Sequence, residues 1–267
     1  MIAMAFFSPW FGPSAEELSL GETSASLLPS SSLNFAIFEE SYQKKELLFS
    51  YSKWIFSTSI VSAGLKTRIK NMPVMILYES MNFPEVTVYD SSYAESGTLK
   101  LKMSRVSFMI SKPSKTKISL AVASHYSINS YKYIESEAQK SITFSAFMKF
   151  RANQKLLLAF SGYNIFGMSL GNGSSLPSKW FMGSLSFKIS ERLSLGASYD
   201  SLKQLSIGAR LSSPRGLSIS GSWGSPNPSY YAIGASLHRN KITVGFTYTN
   251  FPESIGSSIR ASLALKI

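Results

Sequence analysis

The sequence predicts an all-β protein: a closed, antiparallel, up-and-down transmembrane β-barrel of about 12–16 strands, with about 14 fitting the length best. Three observations lead there. Apolar and polar residues alternate with a period of two along most of the chain. The alternating segments are joined by short links rich in Pro, Gly, Asn and Ser. The polar faces are built mainly from Ser, Thr and Gly rather than from charges. Composition agrees: of 267 residues, 44% are hydrophobic and 13% aromatic, only 16% are charged, and mean hydropathy is +0.05. So much apolar material excludes disorder. The absence of cysteine excludes a disulfide scaffold or a thiolate zinc site. No apolar run approaches the ~20 residues of a helical bilayer span.

Residues 1–11 are apolar and lead into Gly12-Pro13-Ser14-Ala15, resembling the apolar stretch and small-residue exit of a signal peptide without a basic leader. Residues 1–32 are therefore set apart, as a clipped signal remnant or a plug in the barrel mouth, from a barrel over 33–267. A short helical turn is expected at 15–20, with Ser14 as N-cap and Glu16 and Glu17 in its first turn. The early strands, at 33–38, 46–55, 57–66, 73–78 and 85–89, alternate weakly. Longer ones follow at 98–111, 115–128, 141–150, 155–165 and 179–189.

The last third alternates most cleanly, at 192–200, 205–211, 216–223, 231–238, 242–249 and 258–267. There Leu193, Leu195, Ala197 and Tyr199 oppose Ser194, Gly196 and Ser198, and Ile242, Val244, Phe246 and Tyr248 oppose Thr243, Gly245 and Thr247. Successive strand side chains point to opposite faces, so each segment has one apolar and one polar face. A helix would scatter the same residues around its axis. Links such as Ser212-Ser213-Pro214-Arg215 and Arg239-Asn240-Lys241 supply turn chemistry, and the repeated strand–link–strand pattern is a meander.

A soluble sandwich or propeller also alternates, but its apolar faces must meet each other. A wet, crowded barrel lumen suits Ser/Thr/Gly faces. Aromatics near strand ends suit the girdles at the two membrane interfaces, with Trp54, Trp180, Tyr199, Trp223, Tyr230 and Tyr248 the candidates. Closure alone satisfies every strand backbone in lipid. Lys100, Lys102, His125, Arg210 and Arg260 share faces with small polar residues and are the expected polar residues of the lumen.

Catalytic chemistry is sparse. The two histidines, His125 and His238, lack a neighbouring nucleophile signature or a metal-binding partner, so no catalytic, cofactor or metal site is expected. Gly171-Asn172-Gly173 has no following helix or Lys-Ser/Thr and reads as a loop, not a phosphate cradle. The formal net charge of +12 comes in small groups at strand ends and turns, not as a basic face interleaved with stacking aromatics. It suits anionic headgroups, lipopolysaccharide or an acidic partner better than nucleic acid.

Between residues 97 and 171 the order is a strand, a basic turn, Lys117-Ile118-Ser119-Leu120-Ala121-Val122-Ala123, a strand ending in Lys149-Phe150, and Leu156-Leu157-Leu158-Ala159-Phe160-Ser161-Gly162-Tyr163-Asn164-Ile165-Phe166-Gly167. This resembles the middle of the PorV/PorQ-type outer-membrane barrels, relatives of the long-chain fatty-acid transporter barrels. The ending, from Phe246-Thr247-Tyr248-Thr249 to Ser262-Leu263-Ala264-Leu265, is similar to that family's final hairpin. The front departs from it: Leu20-Gly21-Glu22-Thr23-Ser24-Ala25 is a faint echo of the family's Gly-rich start, and its Asn-Pro-Ala-Gly element is missing. Leu263, Leu265 and Ile267 resemble an outer-membrane assembly signal, which more usually ends in an aromatic.

The resemblance implies a non-enzymatic Gram-negative-type outer-membrane protein that serves as an accessory to a type IX-like secretion or surface-assembly complex. Its partners would be lipid or lipopolysaccharide and a larger secretion protein. The alternatives are a channel for hydrophobic small molecules and a soluble β-sandwich binding protein.

Overall fold

The computed structural model describes residue 20 and residues 45–267, apart from 55–56, 71, 90–94, 113–116, 133–135, 172–175, 226–228 and 252–255. The expected strand at 33–38 and most of the N-terminal segment lie outside these residues; Leu20 is helical and fully buried.

Alternation becomes strand throughout. The elements are β1 (Glu46–Lys53), β2 (Ser59–Ile69), β3 (Met72–Asn82), β4 (Val86–Tyr89), β5 (Glu95–Lys112), β6 (Ile118–Lys132), β7 (Ser136–Arg151) and β8 (Leu156–Ser169). They continue as β9 (Trp180–Lys188), β10 (Leu193–Asp200), β11 (Leu205–Ser212), β12 (Leu217–Ser225), β13 (Tyr230–Arg239), β14 (Ile242–Phe251) and β15 (Gly256–Lys266). Each strand pairs antiparallel with its sequence neighbours except that β3 pairs with β5 rather than β4, and β1 pairs with β15 from Glu46↔Lys266 to Lys53↔Ile259. β5 pairs with β3 as well as with β6 and β4, so the sheet closes through β3 and β5. β4 only lengthens that hairpin. The result is a closed antiparallel barrel of 14 strands.

On most strands exposed and buried residues alternate. Phe49, Val122, Phe160, Phe187, Ile207, Ile233 and Val244 point outward and are exposed, while Ser50, Ser107, Thr143, Ser161, Ser206, Ser220 and Thr247 point inward and are buried. A barrel that is apolar outside and polar inside inverts a soluble one, and its outer face requires lipid.

Wall height is uneven. β10 and β11 have 8 residues each, close to one tilted crossing, whereas β5, β6, β7 and β8 have 18, 15, 16 and 14. The surplus projects at the end bearing the longer links. At the opposite end tight turns close the hairpins: Ser213 O accepts from Gly216 N at 3.0 Å, and Asn240 takes φ 54° between Arg239 and Lys241. Gly216 there has φ +86°, and a Cβ would collide with the His238 carbonyl.

Candidate functional site

The inward side of the wall is largely buried, and its lining is not uniform. β10 to β15 present Ser198, Ser206, Ser218, Ser220, Ser236 and Thr247. β3 to β9, joined by Leu48 of β1, instead present a contiguous buried apolar cluster centred on Met75, Leu77, Met109, Phe147, Tyr163, Trp180 and Met182. The alternation that makes these segments strands places an apolar residue inward here as well as outward, so both faces become apolar at these levels.

The cluster has a defined aromatic core. Phe147 meets Tyr163 edge-on, with centroids 5.1 Å apart and planes at 75°, and Tyr163 lies 5.0 Å from Trp180 at 49°. Such tilted contacts are the favoured arrangement for ring quadrupoles. Trp180 Nε1 donates to Asp200 Oδ2 at 2.7 Å, and the other carboxylate oxygen accepts Leu202 N at 2.9 Å and Gln204 N at 2.8 Å. A second inward cluster lies at the long-link end, where Trp54 packs on Phe251 at 5.5 Å and Phe251 on Tyr230 at 6.3 Å.

A polar network borders the first cluster. His125 Nδ1 lies 2.8 Å from Ser107 Oγ and Nε2 lies 2.9 Å from Ser145 Oγ, so both ring nitrogens are engaged. Ser145 Oγ also accepts Asn164 N at 3.2 Å, and Thr143 Oγ1 donates to Asn164 Oδ1 at 2.8 Å. Nearby on the same wall, buried Glu79 accepts Arg105 Nε at 2.9 Å and is also paired with Arg105 Nη2.

Asn164 marks an irregularity in the wall. Phe144 pairs with Phe166 and Ala146 with Gly162, so Ser145 alone faces Tyr163, Asn164 and Ile165. Two residues are inserted into β8, which keeps the face parity on both sides of the bulge. Asn164 adopts φ 51°, a conformation Asn tolerates better than most side chains. Beyond the bulge β8 continues to Ser169 alongside β7, but its pairing with β9 stops at Tyr163↔Trp180. Among the described residues the β9-facing edge of β8 from Asn164 to Ser169 therefore has no strand partner, and Asn164 Nδ2 donating to Ser178 O at 3.1 Å is a side-chain link across the gap. Phe166, at 72% exposed, and Met168 project outward beside it.

His125, Arg210 and Arg260 lie on inward faces, with Arg210 Nη2 donating to Ser218 Oγ at 3.4 Å and Arg260 fully buried. Lys100 and Lys102 do not join them. They share the outward parity of Val106 and Phe108, near the long-link end, where Lys100 pairs with Glu85. Of the six aromatics expected in membrane girdles, Tyr199, Trp223 and Tyr248 are on the outer face, and Trp54, Trp180 and Tyr230 point inward. Phe147, Tyr163 and Met182 were not singled out from the sequence. The available signal was a large apolar residue on both parities within 141–150 and 155–165.

No family model and no curated protein match the sequence. Solved structures do. The chain is similar to the toluene transporter TbuX of Ralstonia pickettii, with a TM-score of 0.69 and 8% identity, over 95% of this chain and 97% of that one. The toluene transporter TodX of Pseudomonas putida gives 0.68 and 8% over 95% and 97%, and a FadL homologue of Pseudomonas aeruginosa gives 0.60 and 9% over the same shares. At such identities the likeness is one of fold.

Proposed function

We propose that this protein is a non-enzymatic outer-membrane barrel that passes small hydrophobic molecules, monoaromatic compounds among them. The observation that carries the reading is the inward cluster of Phe147, Tyr163, Trp180 and three methionines beside a wall from β10 to β15 that is lined largely by Ser and Thr. A pore for hydrated solutes gains nothing from that patch. A hydrophobic solute gains apolar contact, ring faces and adaptable thioethers, bordered by the few polar groups around His125 that can orient it. Many lumen-facing side chains in the middle of the wall are buried, which suits binding and release better than free diffusion through a wide channel. Beside the cluster, the β9-facing edge of β8 has no strand partner among the described residues.

The neighbours named as toluene transporters support this reading over the secretion-accessory role that the PorV/PorQ-type resemblance implies. The test is quenching of tryptophan fluorescence by bromobenzene in the vesicle-reconstituted protein, with uptake of labelled toluene by cells expressing it. Saturable quenching that weakens in a Phe147→Ala/Tyr163→Ala variant, with uptake lowered in parallel, supports the proposal. Non-saturable quenching, uptake no better than in cells lacking the protein, and stoichiometric co-purification with a large secretion component would replace it with the accessory role.

A further inference from the structure

Up-and-down connectivity sends every second link to the same end of the barrel, so charge can be sorted by end. At the tight-turn end lie the links β2–β3, β5–β6, β7–β8, β9–β10, β11–β12 and β13–β14, together with the start of β1 and the finish of β15. Each link brings an exposed cation: Lys70, Lys112, Arg151, Lys188, Arg215 and Lys241, in order around the wall. The seam is no exception, because Lys266 on β15 is followed by Ile267, whose N–H donates to Lys45 O at 2.8 Å. Among the described residues the acids at this end are Glu46 and Glu191. At the other end Lys100 is paired with Glu85, and Lys53, Lys132, Lys140, Lys179 and Lys203 are exposed. Among the described residues cations outnumber acids at both ends, and by far the more at the tight-turn rim.

The position of the rim identifies what it meets. Ile69 and Met72 flank Lys70, Phe187 and Ile189 flank Lys188, and all four are exposed at the border of the apolar outer belt. Exposed cations at that border lie within reach of phosphate level. A folded acidic protein would touch one arc of such a rim, whereas a headgroup layer meets all of it.

We propose that the tight-turn rim is a binding ring for the phosphate groups of glycerophospholipids in the surrounding leaflet, and that it selects anionic over zwitterionic lipid. The experiment places the folded, full-length protein in phosphatidylcholine vesicles with spin-labelled phosphatidylglycerol, phosphatidylcholine or lipid A, and reads the immobilised fraction by electron paramagnetic resonance. Phosphatidylglycerol is expected to be enriched about fivefold over phosphatidylcholine, the ratio that one Lys or Arg near an anionic surface contributes. That preference falls with salt. It is lost in K70Q/K112Q/R151Q/K188Q/R215Q/K241Q and kept in the opposite-end control K100Q/K102Q/K132Q.

Heat-modifiable gel mobility verifies folding of both. If the sixfold variant does not fold, the arc variants K70Q/K112Q and K188Q/R215Q each take part of the loss. No preference in the native protein, or equal loss in the control, overturns the proposal. Stronger enrichment of lipid A, or rim-dependent capture of poly-glutamate with no lipid preference, overturns it in favour of lipopolysaccharide or an acidic protein.

Discussion

Replacing Trp180 by Phe isolates one hydrogen bond in the lumen wall. The indole is 4% exposed and donates at 2.7 Å to Asp200 Oδ2, whose residue is 3% exposed. Phenylalanine keeps a ring against Tyr163 but removes the donor. The other carboxylate oxygen stays satisfied by Leu202 N and Gln204 N, so one buried anionic acceptor is stranded rather than the whole group. A hydrogen bond to a charged group is worth about 1.5–3 kcal/mol, and a stranded buried acceptor brings its desolvation cost with it. The expected loss is about 2–3 kcal/mol, a factor of roughly 30–150 in the ratio of folded to unfolded protein. The assay is urea titration in vesicles, with the folded fraction read from heat-modifiable mobility. Trp223→Phe is the control: it makes the same chemical change on the outer face at 45% exposure and should move stability by less than about 1 kcal/mol. Equal effects at the two positions would refute the assignment of a buried Trp180–Asp200 bond.

Three further outcomes are expected. Val122→Lys, on the outer face at 56% exposure, should destabilise the barrel by about 2–4 kcal/mol in bilayers if Val122 faces the middle of the membrane, and by much less in aqueous detergent; equal effects in both media would argue against a lipid-facing wall. Arg105→Met should cost about 3–5 kcal/mol by leaving buried Glu79 without this partner, and the double variant Glu79→Leu/Arg105→Met should recover much of it, as a double-mutant urea series will show. Gly224→Val should lower the unfolding midpoint by the equivalent of about 1–3 kcal/mol, because a Cβ at Gly224 collides with the Tyr230 ring paired across from it; Gly183→Ala, whose Cβ finds Phe160 at an ordinary 3.7 Å, should be milder.

The strands were legible because a period of two is a local property. Each described strand coincides with an alternating segment, from the weak 46–55 to the clean 242–249. The inward placement of His125, Arg210 and Arg260 follows from the same parity, since their strand neighbours on that face are small and polar. Parity failed where both faces of a strand are similar. On 98–111 Lys100 and Lys102 sit opposite Leu101 and Met103, as if the charged face were inward; Arg105, Ser107 and Met109 fix the inward face instead, and the lysines lie near the long-link end. Trp54, Trp180 and Tyr230 are near strand ends, as girdle residues would be, but proximity to an end does not say which side of the wall a ring occupies.

The sequence by itself determined that this chain is a succession of two-faced antiparallel strands joined by turns, because alternation and turn chemistry need no knowledge of distant residues. Three things were left to the tertiary structure. The wall has to close before one face can be called the lumen, and the pairing of β1 with β15 and of β3 with β5 closes it. Closure brings Phe147, Tyr163 and Trp180, from β7, β8 and β9, into one aromatic cluster. It also decides the ends. β4 alternates like its neighbours but does not cross the wall, and counting it as a crossing would send the links before it to the opposite rim. Whether Lys70 stands beside Lys112 and Arg151, or across the membrane from them, depends on that one short strand, and the direct antiparallel pairing of β3 with β5 settles it.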